Sequence, residues 1–322
     1  KIDQAVKAGF AWKTGPFETW DMLGVKETVA KMKELKQSPA PWVDEMLSSG
    51  IESFYKYEKG NKLYYDINSK KYKEIPGYKG LVILDALKTT NVVWKNSGTT
   101  LYNVGDEVLN LEFHTKMNTM GAEVIEGINK AISVAEKNYK GLVIGNEGDN
   151  FSAGANLGML FMLAGNREFD EINLSVQAFQ NTMMRARYSS IPVVVATSGL
   201  TLGGGTELSM HADQVRAHTE TYMGLVEFGV GIIPSGGGTK EMTLRTSDMY
   251  KKGDPELNIL MENFMTIATA KVATSSKEAV AMGLLKQTDK HTLNRSSLLS
   301  EAKSDVLNLY KEGYTQKKQR QN

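Results

Sequence analysis

The stretch Leu202-Gly203-Gly204-Gly205-Thr206-Glu207-Leu208 limits the possible folds more than any other. Three consecutive glycines have no side chains to pack. They suit a place where backbone must approach something closely or take up φ > 0. An apolar run, Ile191-Pro192-Val193-Val194-Val195-Ala196-Thr197, precedes them and reads as a buried strand. Glu207 to Ala212 can continue as a helix. Strand, bare turn, then helix start is an arrangement that aims unpaired N–H groups at negative charge. A carboxylate just beyond could act on whatever those groups hold. An ordinary glycine-rich turn with a surface glutamate also fits this stretch alone.

A second turn of the same kind lies about 50 residues upstream. There the strand Gly141-Leu142-Val143-Ile144-Gly145 leads through Asn146 to Asn150 into Phe151-Ser152-Ala153-Gly154-Ala155-Asn156-Leu157. If the two strands are neighbours, two backbone N–H groups could converge on one oxygen, each worth roughly 3 kcal/mol of barrier. A third glycine-rich segment, Gly224 to Thr239, carries Glu227 among Leu225, Val226 and Phe228. A carboxyl desolvated by such neighbours has a raised pKa and suits proton transfer. A solvated turn residue is the alternative.

Elsewhere strands alternate with helices, which argues for an α/β domain. Residues 92–113 alternate as strands, 121–138 carry a helical stripe at Val124, Ile125, Ile128 and Ile132, and 167–188 form a long helical region. The first 50 residues read as four helices, punctuated by Gly15-Pro16, Gly24, Pro39-Ala40-Pro41 and Gly50. A hairpin around Asn68-Ser69 follows, and Pro76-Gly77 breaks it. Lys1 stands where Met would, and helical periodicity begins at once; the expectation is a piece of a longer polypeptide.

Composition removes several classes of function. Lys+Arg is 38 and Asp+Glu 37, a net charge of +1, which argues against a nucleic-acid-coating surface. The absence of cysteine excludes disulfides, cysteine-ligated metals and a cysteine nucleophile, and it fits a reducing compartment. No apolar run approaches the roughly 20 residues of a membrane span, and no signal-peptide pattern opens the chain. A cytoplasmic location is expected. A phosphate loop from Gly231 and Gly236 fails because Gly237 stands where lysine is required. His211, Asp213 and His218 lack the spacing of a metal site on one helix face and read as structural, so no metal is expected. Ser198-Gly199 lacks the flanking pattern of a serine nucleophile. Met183 and Met184 read as core or pocket lining.

Three blocks resemble the signature blocks of the crotonase (enoyl-CoA hydratase/isomerase) superfamily, in family order and spacing. They are Ala153-Gly154-Ala155-Asn156-Leu157, Leu202 to Leu208, and Glu227 with Pro234 and Gly236-Gly237-Gly238-Thr239. A looser closing block runs from Ser276 to Leu285, and the likeness covers about residues 92–290. The resemblance implies an α/β crotonase-like core, a repeated ββα spiral. It implies that the Ala155 and Gly204 N–H groups hold the thioester oxygen of an acyl-CoA, and that Glu207 and Glu227 are the catalytic pair of a hydratase. Ala153 and Gly203 flank that oxygen site, and Lys116-Met117 lies near where CoA binds, with Lys116 a candidate for its phosphates. Hydration needs no metal or redox cofactor; CoA is the substrate's carrier. Two features depart from the family: Asn156 where many relatives carry Asp, and a longer Thr246 to Ala270 segment.

The N-terminus resembles something else. Ile2-Asp3-Gln4-Ala5-Val6-Lys7-Ala8-Gly9-Phe10 and Gly15-Pro16-Phe17-Glu18-Thr19-Trp20-Asp21 are similar to the C-terminal helical domain of 3-hydroxyacyl-CoA dehydrogenases. The implied division is a small helical domain at 1–78 and the hydratase-like domain at 79–322. The NAD-binding half has no counterpart in these residues, so NAD belongs only to that missing part. The expected protein is a bifunctional β-oxidation enzyme that takes acyl-CoA and can form homo-oligomers. Isomerisation alone, or non-catalytic acyl-CoA binding, are the competing expectations.

Overall fold

The first helices form where their punctuation predicts. In a computed structural model, which describes residues 1–319 apart from 59 and 252, α1 (Ile2–Phe10), α2 (Pro16–Leu23), α3 (Val25–Glu34) and α4 (Pro41–Ser48) follow one another. Pro16 and Pro41 occupy first-turn positions, where no N–H is missed. Three antiparallel strands come next: β1 (Tyr55–Glu58), β2 (Asn61–Asp66) and β3 (Lys71–Glu74). The β2–β3 hairpin turns at the expected Asn68-Ser69, held by Asp66 Oδ2, which accepts from Ser69 N at 2.9 Å. Strand β1 was not expected. A single turn, α5 (Leu84–Leu87), follows. The chain divides into two compact units, Lys1–Ala86 and Leu87–Asn322.

Val25, Val29, Val43, Met46, Phe54 and Tyr65 form the core of the first unit. Asp3 is buried beside it and does not face solvent. Its carboxylate accepts from the N–H groups of Phe17 (2.9 Å) and Glu18 (3.1 Å) and from the Tyr55 hydroxyl (2.8 Å). It therefore caps α2 from a different helix, a role that local spacing does not reveal. Asp3→Ala is expected to lower this unit's stability by about 2 kcal/mol. The check is denaturation followed by tryptophan fluorescence, since Trp12, Trp20 and Trp42 lie here. A change below about 0.5 kcal/mol would show that the cap is dispensable.

The second unit is built on a seven-stranded mixed sheet. Its strands are β4 (Val92–Lys95), β5 (Thr99–Asn103), β6 (Val108–Phe113), β7 (Gly141–Gly145), β8 (Val193–Leu202), β9 (Gln214–Gly224) and β10 (Lys290–Thr292). They lie side by side in the order β10-β9-β8-β7-β6-β5-β4. Strands β4 to β6 are antiparallel, and β6 to β10 are parallel. Helix α6 (Ala122–Asn138) packs on β5, β6 and β7. Then come α7 (Leu157–Gly165), α8 (Phe169–Arg187), α9 (Gly204–His211), α10 (Gly238–Met249), α11 (Glu256–Ala268), α12 (Ser276–Ala281) and α13 (Leu298–Lys311). Helix α13 lies against β7, β8 and β9.

Val193 to Ser198 are all buried, as expected of a parallel strand covered on both faces. Strand β8 runs five residues past the apolar run that predicts it and ends at Leu202, so the glycines begin directly at its carboxyl end. In parallel sheets that end is where ligands bind. Met183 is fully buried core, and neither it nor Met184 lines a pocket at the site. Among the described residues no helix is long and apolar enough to cross a membrane.

Candidate active site

Gly203 makes the turn from β8 into α9 with φ 50° and ψ −120°, a conformation that suits glycine. Its N–H donates to the Gly224 carbonyl at 2.9 Å. Thr206 Oγ1 donates to the Thr201 carbonyl at 2.6 Å, and Glu207 N donates to the Gly203 carbonyl at 2.9 Å. The turn into α9 is thus tied to β8, which precedes it, and to β9, which follows it. Glu207 is carried into the interior at 2% exposure.

The upstream turn lies alongside. Phe151 and Ser152 N–H groups donate to the Ser198 and Leu200 carbonyls, and Leu202 N–H returns a bond to Ser152, at 2.8, 3.0 and 2.9 Å. Gly154 has φ 96°, and a Cβ there would fall 2.9 Å from the Leu202 oxygen and 3.4 Å from the Gly204 nitrogen. The two turns are therefore in backbone contact. Among the described residues, neither the Ala155 N–H nor the Gly204 N–H has an acceptor. Asn156 caps α7, its side chain accepting from Met159 N at 3.4 Å.

Glu227 starts a 3₁₀ turn (Glu227–Val230) beyond β9. Its Oε1 faces the Gly203 backbone, where a Cβ would come within 3.0 Å. Its Oε2 is buried without a partner among the described residues. Phe228, expected to desolvate it, is instead 55% exposed; a side chain directly after Glu227 points the other way on the turn. Leu225 is fully buried.

Glu207 and Glu227 reach one cavity of about 360 Å³, and Ala155 lines it too. Ile125 of α6, Leu160 of α7, Val176 and Phe179 of α8, and Ile232 and Ile233 make its apolar wall. Burial, then the facing Glu227, raises the Glu207 pKa to about 8, against the lowering effect of the Gly238, Gly236 and Gly237 N–H groups. Burial raises Glu227 to about 7. Two facing carboxyls titrate as a pair, and such values belong to the pair. Of those N–H groups, that of Gly238 donates to Glu207 Oε1 at 2.8 Å.

Asn156 and Gly236, also singled out by sequence, line the cavity too, whereas Ala153, Gly203, Gly204, Lys116 and Met117 do not. Lys116 and Met117 are exposed on a 3₁₀ turn (Lys116–Asn118), and Ala153 N donates to the Met117 carbonyl at 3.1 Å. Phe179 was missed. Its ring meets the positions where a Cβ on Gly204 or Gly236 would sit, at 2.7 and 2.5 Å. The stripe Val176, Phe179, Met183, Ala186 marks the inward face of α8, but nothing in its spacing says which end meets the site.

A family model described as enoyl-CoA hydratase/isomerase matches residues 105–289. A probable 3-hydroxyacyl-CoA dehydrogenase of Bacillus subtilis is 45% identical over 97% of this chain and 39% of the relative. A putative fatty acid oxidation complex trifunctional enzyme of Rickettsia felis is 33% identical over 79% of this chain and 31% of the relative. The chain thus spans two fifths or less of the length of these relatives. Among solved structures, an enoyl-CoA hydratase from Bacillus halodurans gives a TM-score of 0.57 at 17% identity, covering 68% of this chain and 82% of that one. One from Polaromonas sp. JS666 gives 0.54 at 24% identity, covering 66% and 77%. At these identities the likeness shows the fold, α/β and crotonase-like.

Proposed function

Because the chain belongs to the enoyl-CoA hydratase/isomerase family, we propose that it hydrates 2-enoyl-CoA to 3-hydroxyacyl-CoA in fatty-acid β-oxidation. The observation that carries this reading is a buried and a half-buried glutamate on one cavity, beside two backbone N–H groups with no acceptor among the described residues. Isomerisation needs one proton-carrying group; addition of water needs a base and an acid together.

In this reading the Ala155 and Gly204 N–H groups hold the thioester oxygen, where charge develops. Burial raises Glu207 (about 8) further than Glu227 (about 7), but those values belong to the pair, and the hydrogen bonds decide the division. Gly238 N–H donates to Glu207 at 2.8 Å, whereas Glu227 Oε2 has no donor among the described residues, so Glu207 is assigned the base and Glu227 the acid. Glu207 takes a proton from water as its oxygen bonds to C3. Glu227 gives its proton to C2. The C2–C3 π bond is consumed, and the pair resets by exchanging a proton with solvent. Both groups reach the same cavity, which fits addition to one face of the double bond. CoA carries the substrate, with Lys116 proposed near its phosphates, and no metal or redox cofactor enters.

The same proposal extends to the whole polypeptide. The relatives' names and the helical likeness of residues 1–78 support a longer protein whose upstream part carries 3-hydroxyacyl-CoA dehydrogenase activity with NAD. The proposed hydratase domain is then 79–322.

The test is loss of the conjugated thioester absorbance of crotonoyl-CoA. Rising absorbance from a 3-enoyl-CoA with no hydration would favour isomerisation, and binding without turnover at any chain length would sink the enzyme reading. A bell-shaped kcat/KM profile is expected, with limbs near pH 7 and 8. Below the first limb both carboxyls are protonated and no base remains; above the second both are ionised and no acid remains. A flat profile between pH 6 and 9, beyond both limbs by about one unit, would contradict the shared-proton pair.

A further inference from the structure

One helical turn beyond Glu207 lies a fully buried imidazole, His211. Its Nδ1 is 2.7 Å from the Glu207 carbonyl oxygen. A carbonyl only accepts, so Nδ1 carries the proton and Nε2 is bare. Lys240 Nζ lies 3.0 Å from Nε2 and donates to it. Burial lowers the ring's pKa to about 4, which preserves this tautomer at neutral pH. Among the described residues, the charged side chains around the ring come from two helices, α8 and α10. Arg187 of α8 pairs with Glu241 of α10, whose Oε1 is 3.6 Å from Nε2 and 3.3 Å from Lys240 Nζ. Arg245, also on α10, is turned to the carbonyls of Met210, Gly283 and Leu284.

The far side of the ring meets the loop that faces the Glu207 carboxylate. Gly237 has φ 126°, and a Cβ on it would fall 2.6 Å from Cε1 and 2.8 Å from Nε2 of His211. No side chain separates ring and loop. The next residue, Gly238, is the donor to Glu207 Oε1. A Cβ on Gly236 would sit 2.4 Å from Glu207 Oε2. The imidazole therefore stands between the helix that carries Glu207 and the backbone that solvates its charge.

We propose that His211 is a positioning residue for Glu207: bonded at Nδ1 to the Glu207 carbonyl and at Nε2 to Lys240, its ring backs the Gly236–Gly238 loop and so holds the Gly238 N–H donor against the Glu207 carboxylate. This rests on the reading of Glu207 as the base in hydration. Removing the ring lets the loop draw back. The charged form of Glu207 then loses that hydrogen bond, so its pKa rises. Glu227, the other titratable group facing Glu207, stays in place.

The test uses the full chain with His211→Ala, His211→Asn and Lys240→Met. Asparagine keeps a donor near the Nδ1 position and loses the ring. Two readouts are taken: kcat and KM for crotonoyl-CoA against pH, and an infrared titration of the Glu207 carboxyl without substrate, assigned by difference from Glu207→Gln. His211→Ala is expected to lower kcat about 10- to 100-fold with KM changed less than about threefold. It should move both the acidic limb and the infrared midpoint upward by about one pH unit. His211→Asn should recover part of both, and Lys240→Met should move both in the same direction by less. A folded His211→Ala with limb and midpoint unmoved overturns the proposal, even if its activity falls. If wild type hydrates no 2-enoyl-CoA of any chain length, the hydratase reading fails, and the infrared midpoint alone still decides the positioning role. If His211→Ala does not fold, the other two variants decide it in the same way.

Discussion

Glu207→Gln is expected to lower kcat for crotonoyl-CoA hydration by about 10²–10⁴-fold with KM nearly unchanged. Glutamine matches glutamate in size, and its oxygen can still accept from Gly238 N–H. It cannot take a proton from water. Glu227→Gln is expected to do the same by removing the acid, and the double variant should lose little more than either single one, because the two act as a unit. Loss of fold would imitate loss of chemistry, and stability against pH separates them. Both carboxyls have folded pKa values raised above the ordinary 4.5. The folded chain thus binds extra protons between that value and about pH 8. Stability falls as pH rises through this window, because ionising these two desolvated carboxyls opposes folding. The glutamine variants lack that burden. They should melt above wild type at pH 8, and the gain should vanish near pH 5. Rates within threefold of wild type, a difference of roughly 0.7 kcal/mol, would remove Glu207 and Glu227 from the proposed mechanism.

The sequence showed these two carboxylates because of the glycines around them. A run such as Gly203-Gly204-Gly205 makes sense only where backbone does the contacting, and this is so at Gly203, whose missing side chain leaves room for Glu227 Oε1. The helices of the first unit were similarly legible, since Pro16, Gly24, Pro41 and Gly50 act on their own neighbours. What stayed hidden depends on partners far along the chain. That the turn at Ser152–Ala155 lies against the end of β8 follows from parallel pairing of strands some 50 residues apart. The environment of Glu227 was legible in part: its pKa is raised and Leu225 is buried as expected, but Phe228 is exposed, and the Gly203 backbone, distant in sequence, lies against the carboxyl. Strand β9 went unread although Val215 and Ala217 are buried in alternation. Arg216 between them looks like solvent-facing charge until α13 supplies its partner.

That partner gives the second large effect. Asp305→Ala is expected to destabilise the second unit by about 3–5 kcal/mol. Asp305 on α13 is 1% exposed and accepts from Arg216 Nε and Nη2 of β9, both at 2.7 Å. Lys290 Nζ adds a third bond at 2.7 Å. The paired geometry matches the planar guanidinium, whose charge cannot be lost by deprotonation. Without Asp305, Arg216 keeps only Glu301 at 3.1 Å and the His291 carbonyl at 3.3 Å, leaving a cation poorly matched between sheet and helix. A unit of this size should melt on the order of 10 °C lower. Lys290→Met is the control, because that side chain is 42% exposed and its bond should matter by less than about 1 kcal/mol. Calorimetry on the three proteins decides between a mortise and an ornament. If Asp305→Ala and Lys290→Met melt together, the buried pair does not hold α13 to the sheet. Restoring stability with Asp305→Leu and Arg216→Met in one chain would show that the loss came from stranding a charge. The site strands β7, β8 and β9 all rest on α13, so any loosening there should appear as a lower melting point before it appears as a lower rate at 20 °C.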